Sequence, residues 1–178
     1  MPQPASINTA KSGDPYSATR RFITCLCLLL GGGLLGQLLS MIVVRIASTD
    51  IQAGGMLADI ITQYLANYFL GIAFIVLSVS NLLIKRGLVE YKRLRLPTIV
   101  LAISTAIVAF MLIPRMDYLR ETALQDGLPV LFSDSAAYFT TLAALATSLL
   151  LIQLASGGVL VWRQLNPKKQ QINLAPRD

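Results

Sequence analysis

Residues 22–44 read FITCLCLLLGGGLLGQLLSMIVV and contain no charged side chain. At 1.5 Å per helical residue, this run is long enough to cross a hydrocarbon layer of about 30 Å. Three further uncharged runs occupy residues 60–84, 96–113 and 136–162. All four are continuously apolar instead of alternating, which favours helices over barrel strands. The sequence therefore predicts an all-α fold, an integral membrane bundle of four transmembrane helices with up-down topology.

The composition agrees with a chain that has lipid as much of its solvent. Of the 178 residues, 54% are hydrophobic and only 13% are charged, about half the charged share of an ordinary soluble domain. The polar residues concentrate at the two ends. We therefore expect a disordered cytoplasmic tail at 1–21, a transmembrane domain at 22–163 and a second cytoplasmic tail at 164–178.

The basic residues are distributed unevenly between the two sides of the predicted bundle. Only Arg45, Arg115 and Arg120 fall on one side. The other twelve of the fifteen lie in the tails or the second connection: Lys11, Arg20, Arg21, Lys85, Arg86, Lys92, Arg93, Arg95, Arg163, Lys168, Lys169 and Arg177. By the positive-inside rule, both termini face the cytoplasm of a bacterial inner membrane. The net charge of +6 then indicates contact with membrane lipids and no nucleic acid.

The chain lacks the residues that several classes of catalytic and metal chemistry usually require. The chain has no histidine, the commonest general base and a common metal ligand. Its two cysteines, Cys25 and Cys27, lie two apart in an apolar run, which is typical of small apolar residues in a span. No acid or base lies within a predicted span, which disfavours ion-coupled transport. We predict no enzyme activity, no cofactor, no metal site and no catalytic residue.

Polar side chains within the spans form stripes at helical spacing. In the second span, Asn67, Gly71, Ser78 and Asn81 share one face. Hydrocarbon cannot satisfy an amide, so such stripes are expected to face protein. The amides predicted to pack between helices are Gln37, Asn67, Asn81 and Gln153. The alternative is a polar groove that holds a ligand or a lipid headgroup.

Residues 113–121, IPRMDYLRE, form the most distinctive loop segment. Pro114 disfavours helix at Ile113, so we expect a bend there and a short helix along the outer membrane surface. Its apolar side chains would face the bilayer: Ile113, Met116 and Leu119. Its charged side chains are candidate contacts for a partner or lipid: Arg115, Asp117, Arg120 and Glu121. The arginines would reach lipid headgroups or acids of the other outer loop, such as Asp50 and Asp59. The alternative is a connection with only local ion pairs.

Several short motifs, taken in order, carry a resemblance to a known family. They are Gly31, Gly32 and Gly33; Ala53, Gly54 and Tyr64; Ile113, Pro114, Arg115, Leu119 and Arg120; Phe132; and Leu151, Gln153 and Gly157. In these the chain resembles the domain of unknown function 4149, or transmembrane protein 205-like, family of four-helix membrane proteins. The resemblance implies the topology but no settled activity. Such sequences often carry a histidine where this chain has Thr140 and Thr141.

The sequence favours a non-catalytic function. We predict an accessory or structural subunit that packs against a larger membrane complex, because small residues and amides are frequent in the spans. The alternative is a small transporter, or a binder of a lipid or hydrophobic small molecule. The expected partners are membrane lipids and a membrane protein or a second copy of the chain.

Overall fold

A computed structural model describes residues 17–49, 51–88 and 91–166 of the chain, and its regular structure is helical. The elements are α1 (Ser17–Ala47), α2 (Ile51–Lys85), α3 (Lys92–Ile107), a π-turn (Val108–Leu112), α4 (Ile113–Gln125), a 3₁₀ turn (Val130–Phe132) and α5 (Ala136–Leu165). Because α3, the π-turn and α4 run on without a break, the described residues contain four helices long and apolar enough to cross a membrane. They pack antiparallel, which confirms the predicted four-helix fold class.

The helices extend beyond the uncharged runs that predict them. α1 begins by Ser17 instead of residue 22, and α2 begins at Ile51 instead of residue 60. An uncharged run marks the apolar part of a helix, whereas the backbone continues through good helix formers such as the Gln, Met, Leu and Ala of 52–58. Asp59 therefore lies within α2 and not in a loop. The predicted tails are only partly covered, since 1–16 and 167–178 lie outside the described residues.

The main core lies in the half of the bundle nearer the chain termini, where α1, α2, α3 and α5 meet. Its fully buried side chains include Ile23, Leu30, Leu101 and Leu160. Glycines allow the helices to approach closely there. A Cβ on Gly33 would lie only 2.6 Å from the Phe69 ring, so this glycine has a packing role.

The π-turn stands where the sequence predicts a bend. Pro114 has no N–H to donate to the preceding turn, and the Ile113 N–H instead donates to the Val108 carbonyl in a π-type bond. The chain thus continues as α4 with a shifted register. Ile113, Met116 and Leu119 are buried, so the expectation that they face the bilayer is wrong. The continuous helix directs this side of α4 toward the other helices, where apolar side chains pack.

Candidate functional site

A cavity of about 1100 Å³ occupies the end of the bundle opposite the chain termini. We call that end the distal end and the cavity the distal cavity. Its wall comes from the second half of α1, the first three turns of α2, the π-turn, α4, the 127–132 connection and the part of α5 from Phe139 to Gln153. Representative wall residues are Met41, Met56, Met116, Phe139, Ala146 and Leu150. Most of this wall is apolar.

The cavity exists because the helices meet closely at one end and present small side chains at the other. In the core half, α1 and α5 approach through Gly31 and Gly157, where a Cβ on Gly157 would lie 3.9 Å from the Gly31 Cα. Toward the distal end, α5 contributes Ala143, Ala146 and Thr147 to the wall. Side chains of this size do not fill the space between four helices.

A buried ion pair stands at the rim of the distal cavity. Arg120 on α4 donates to the Asp59 carboxylate of α2 at 2.6 Å, and their side chains are 5% and 13% exposed. Arg120 also contacts Asp117 at 3.0 Å and lies over the Phe139 ring at 5.1 Å from its centroid. Gly55 leaves room for the guanidinium, because a Cβ there would lie 3.3 Å from Nη2. The pair thereby joins α4 to α2.

Two amides line the deeper part of the cavity wall. Gln37 is 2% exposed and Gln153 is 3% exposed. The Gln37 Nε2 donates to the Thr62 hydroxyl at 3.4 Å, and that hydroxyl donates to the Ala58 carbonyl at 2.8 Å. The Gln37 Oε1 is buried and has no hydrogen-bond partner within the described parts of the chain. A buried acceptor without a partner costs free energy, on the order of 1–3 kcal/mol.

The four charged residues of 113–121 that are predicted as contacts divide into two pairs in the structure. It brings Arg120 and Asp117 together with Asp59, as the sequence suggests for Arg120. Arg115 is exposed and lies over the rings of Tyr118 and Tyr138 at 5.8 and 5.9 Å. Glu121 is also exposed. Neither Arg115 nor Glu121 contributes to the wall of the distal cavity.

The four amides predicted to pack inside the bundle divide into two pairs. Gln37 and Gln153 are buried, whereas Asn67 and Asn81 are exposed on α2. The expectation that Asn67 and Asn81 face the interior of this chain is therefore wrong. The inward side of α2 instead carries Ala66, Phe69, Ala73, Val76, Ser80 and Leu83. Spacing identifies a stripe but not the direction that it faces.

The sequence does not identify two polar residues of the site, Arg45 and Thr62. Arg45 is exposed at the rim, and Thr62 orients Gln37. In the sequence, Arg45 stands out only as one of the three basic residues on one side of the bundle, and Thr62 is a single hydroxyl within an apolar run. Thr140 also lines the cavity.

Neither a family model, nor a curated protein, nor a solved structure matches the chain. The site combines an apolar wall, a charged rim and deep amides, an arrangement suited to noncovalent binding of a molecule with both apolar and polar parts.

Proposed function

We propose that this membrane protein binds a lipid or another hydrophobic small molecule in the distal cavity, without catalysing a reaction. The cavity itself is the observation that carries the proposal. Its volume of about 1100 Å³ is slightly larger than that of typical small-molecule sites, which measure about 300–1,000 Å³. Packed protein interiors contain few voids larger than a water molecule, so a space of this size sets the distal end apart from the core half.

The distribution of polar groups supports the same function. Small-molecule sites are mostly apolar, with a few polar groups that fix the orientation of the ligand. Here Met41, Met56 and Met116 provide flexible apolar surface, which adapts to different ligand shapes. Arg45 and Gln37 supply polar contacts at opposite ends of the cavity.

The binding proposal can be tested by filling the cavity. Ala146→Trp places a large ring in the cavity wall, so it should reduce binding of a fluorescent long-chain fatty acid by tenfold or more, about 1.4 kcal/mol. Ala144→Trp is the matched control, because Ala144 is exposed on the same helix and does not line the cavity. Fluorescence titration of each variant in a nonionic detergent gives the dissociation constants.

Native mass spectrometry of the protein purified from its own membrane provides the second readout. We expect a bound lipid-sized mass in the wild type and in Ala144→Trp, but not in Ala146→Trp. Equal binding of the fatty acid by both variants, with both folded, would contradict the proposal.

The exposed amides on α2 favour a second proposal, an accessory or structural subunit of a larger membrane complex. Asn67, Gly71, Ser78 and Asn81 all lie on the exposed side of α2. Hydrocarbon cannot satisfy the amides, whereas a helix of a partner or of a second copy can. The same mass spectra detect such a partner as a co-migrating protein.

We further propose that the protein resides in a bacterial inner membrane with both termini in the cytoplasm. The unequal distribution of Lys and Arg supports this orientation. The distal cavity then opens toward the outer leaflet. We also propose that the chain belongs to the domain of unknown function 4149 family, because its short motifs occur in the same order.

A further inference from the structure

We infer that α2 pairs with the α2 helix of a second copy of this chain, so that two copies form a symmetric dimer in the membrane. This inference rests on the second proposed function, in which a protein helix covers the exposed amides of α2, and it names that helix. The surface concerned is a line of exposed residues on α2 that are spaced three and four apart in turn. We call it the α2 seam, and its residues are Tyr64, Asn67, Gly71, Phe74, Ser78 and Asn81.

The amides of the α2 seam need a partner that other exposed polar groups do not need. On α5, the exposed hydroxyls of Thr147 and Ser148 donate to carbonyls of their own helix at 2.9 Å, so hydrocarbon can cover them. The Asn67 amide forms no hydrogen bond with another described residue. Asn67 lies eight residues beyond Asp59, the last charged residue before the span, and thus about 12 Å along the helix. Lipid tails at that depth supply neither a donor nor an acceptor.

Gly71 gives a separate reason to expect a close neighbour at the α2 seam. A glycine within a helix destabilises it relative to alanine. At Gly33 the missing side chain makes room for Phe69, whereas a Cβ added to Gly71 would meet no described atom within 4 Å. Nothing in a single copy therefore uses the missing side chain of Gly71, but a second helix packed on the seam would use it.

The first helix has a similar pair of open glycines without the amides. Gly32 and Gly36 are exposed on α1, and a Cβ added to either would also meet no described atom within 4 Å. The amide of α1 is that of Gln37, which is buried. Lipid can therefore cover this face of α1, and the exposed amides distinguish the α2 seam from it.

A second copy supplies the matching surface by symmetry. All copies of a membrane protein insert in one orientation, so a two-fold axis along the membrane normal places the two α2 helices parallel. Each seam residue then lies at the depth of its own counterpart. Because an Asn amide has both donors and an acceptor, Asn67 can bond to Asn67 of the second copy, and Asn81 can do the same. A helix of another protein would need amides at both of these depths.

The sizes of the seam residues suit a parallel pair. An average spacing of about 3.5 residues is that of left-handed helix pairs, in which each side chain of the line inserts between residues of the facing helix. The Phe74 ring, which is 65% exposed, would insert between Gly71 and Ser78 of the facing helix. These two are the smallest residues of the seam, so the room for the ring lies where the ring needs it.

The dimer can be measured with the full-length chain in vesicles of phosphatidylethanolamine and phosphatidylglycerol. Copies that carry a donor or an acceptor fluorescent protein at the C-terminus are mixed, and energy transfer is followed as lipid dilutes the protein. We expect Asn67→Leu and Gly71→Leu each to raise the dissociation constant of the dimer about fivefold or more, through loss of the amide pair or of the close approach. Gly36→Leu is the matched control, since Gly36 is equally open on α1; it should leave the constant unchanged.

Cysteine cross-linking locates the contact independently. Ser78→Cys, in a chain whose exposed Cys25 is replaced by Ser, should form a disulfide-linked dimer when copper phenanthroline oxidises the membranes, because seam residues face their own counterparts. Ser148→Cys in the same background is the control. Ser148 is exposed on α5, so this variant should stay monomeric.

The outcomes distinguish this inference from the function on which it rests. A wild type that stays monomeric at every dilution, with another membrane protein co-migrating in the native mass spectra, would overturn the dimer and leave the second proposed function standing. A monomer without any co-migrating protein would overturn both. Dissociation by Gly36→Leu but not by Gly71→Leu would place the contact on α1 and also overturn the inference. The measurement on the wild type does not depend on the folding of a variant.

Discussion

Arg120 shows how a single residue determines the geometry of the distal end. Its guanidinium is buried between α4 and α2 and pairs with Asp59. The second partner of Arg120 is Asp117, whose side chain is 48% exposed. Solvent therefore screens this contact, which contributes little to stability. A buried ion pair adds only modest net stability, but removal of one partner leaves a charge in an apolar place.

We therefore predict that Arg120→Gln destabilises the protein by about 3–5 kcal/mol, because it leaves the Asp59 carboxylate buried and unpaired. Glu121→Gln is the control on the same helix, where an exposed side chain should change stability by no more than about 0.5 kcal/mol. Thermal unfolding in detergent, followed by circular dichroism, measures both. Addition of Asp59→Asn should restore part of the loss. An Arg120→Gln protein as stable as the control would show that the pair does not hold α4.

At this scale the sequence predicts contacts better than burial. The opposite charges of Arg120 and Asp59 on one side of the membrane suggest their contact, which the structure shows. The same amide chemistry in Gln37 and Asn67 gives opposite placements. A stripe on one helix carries no information on which neighbours surround that helix, because this depends on the packing of all four.

At the scale of elements, the glycines of α1 and α5 decide where the bundle closes and where it opens. Gly157 faces α1, where an added Cβ would lie 2.6 Å from the buried Leu34 side chain. Gly158, the next residue, has no atom within 4 Å of such a Cβ. Two adjacent glycines in the same helix thus differ only in what they face.

We predict that Gly157→Ala destabilises the bundle by about 1–3 kcal/mol through overpacking. Gly158→Ala should be neutral or stabilising by up to about 1 kcal/mol, since alanine favours the helix. Thermal unfolding of both variants in the same detergent gives the comparison. Equal effects would mean that the helices do not meet closely at Gly157.

The sequence also predicts the existence of the elements more reliably than their ends. Uncharged runs identify all four helices. They place the start of α2 nine residues late, at 60 instead of Ile51. Pro114 predicts a bend where the chain instead forms a π-turn and continues as a helix. Apolarity reports contact with lipid or protein, whereas the end of a helix depends on backbone hydrogen bonds that polar residues form equally well.

At the scale of the whole molecule, the orientation in the membrane decides which solution the distal cavity faces. Charged groups at the distal end include Arg45, Asp59 and Arg120, and the opposite end carries most of the Lys and Arg of the chain. The fold alone is symmetric in this respect, because an antiparallel bundle crosses a membrane equally well in either direction. The orientation therefore follows from the charges and not from the packing.

We predict that reporters fused after Lys92 or Pro167 report the cytoplasm, and that a reporter fused after Gln125 reports the opposite side. Lys92 begins α3 beside four further basic residues of the second connection, and Gln125 ends α4 at the distal end. Paired phosphatase and fluorescent-protein fusions measure each position with opposite signals.

Substitution of the five basic residues of the second connection by Gln should weaken the preference for this orientation, because retention of basic residues in the cytoplasm sets the orientation. These residues are Lys85, Arg86, Lys92, Arg93 and Arg95. A phosphatase signal at Lys92 in the unaltered chain would show that the protein has the opposite orientation. The cavity would then take its ligand from the cytoplasmic leaflet.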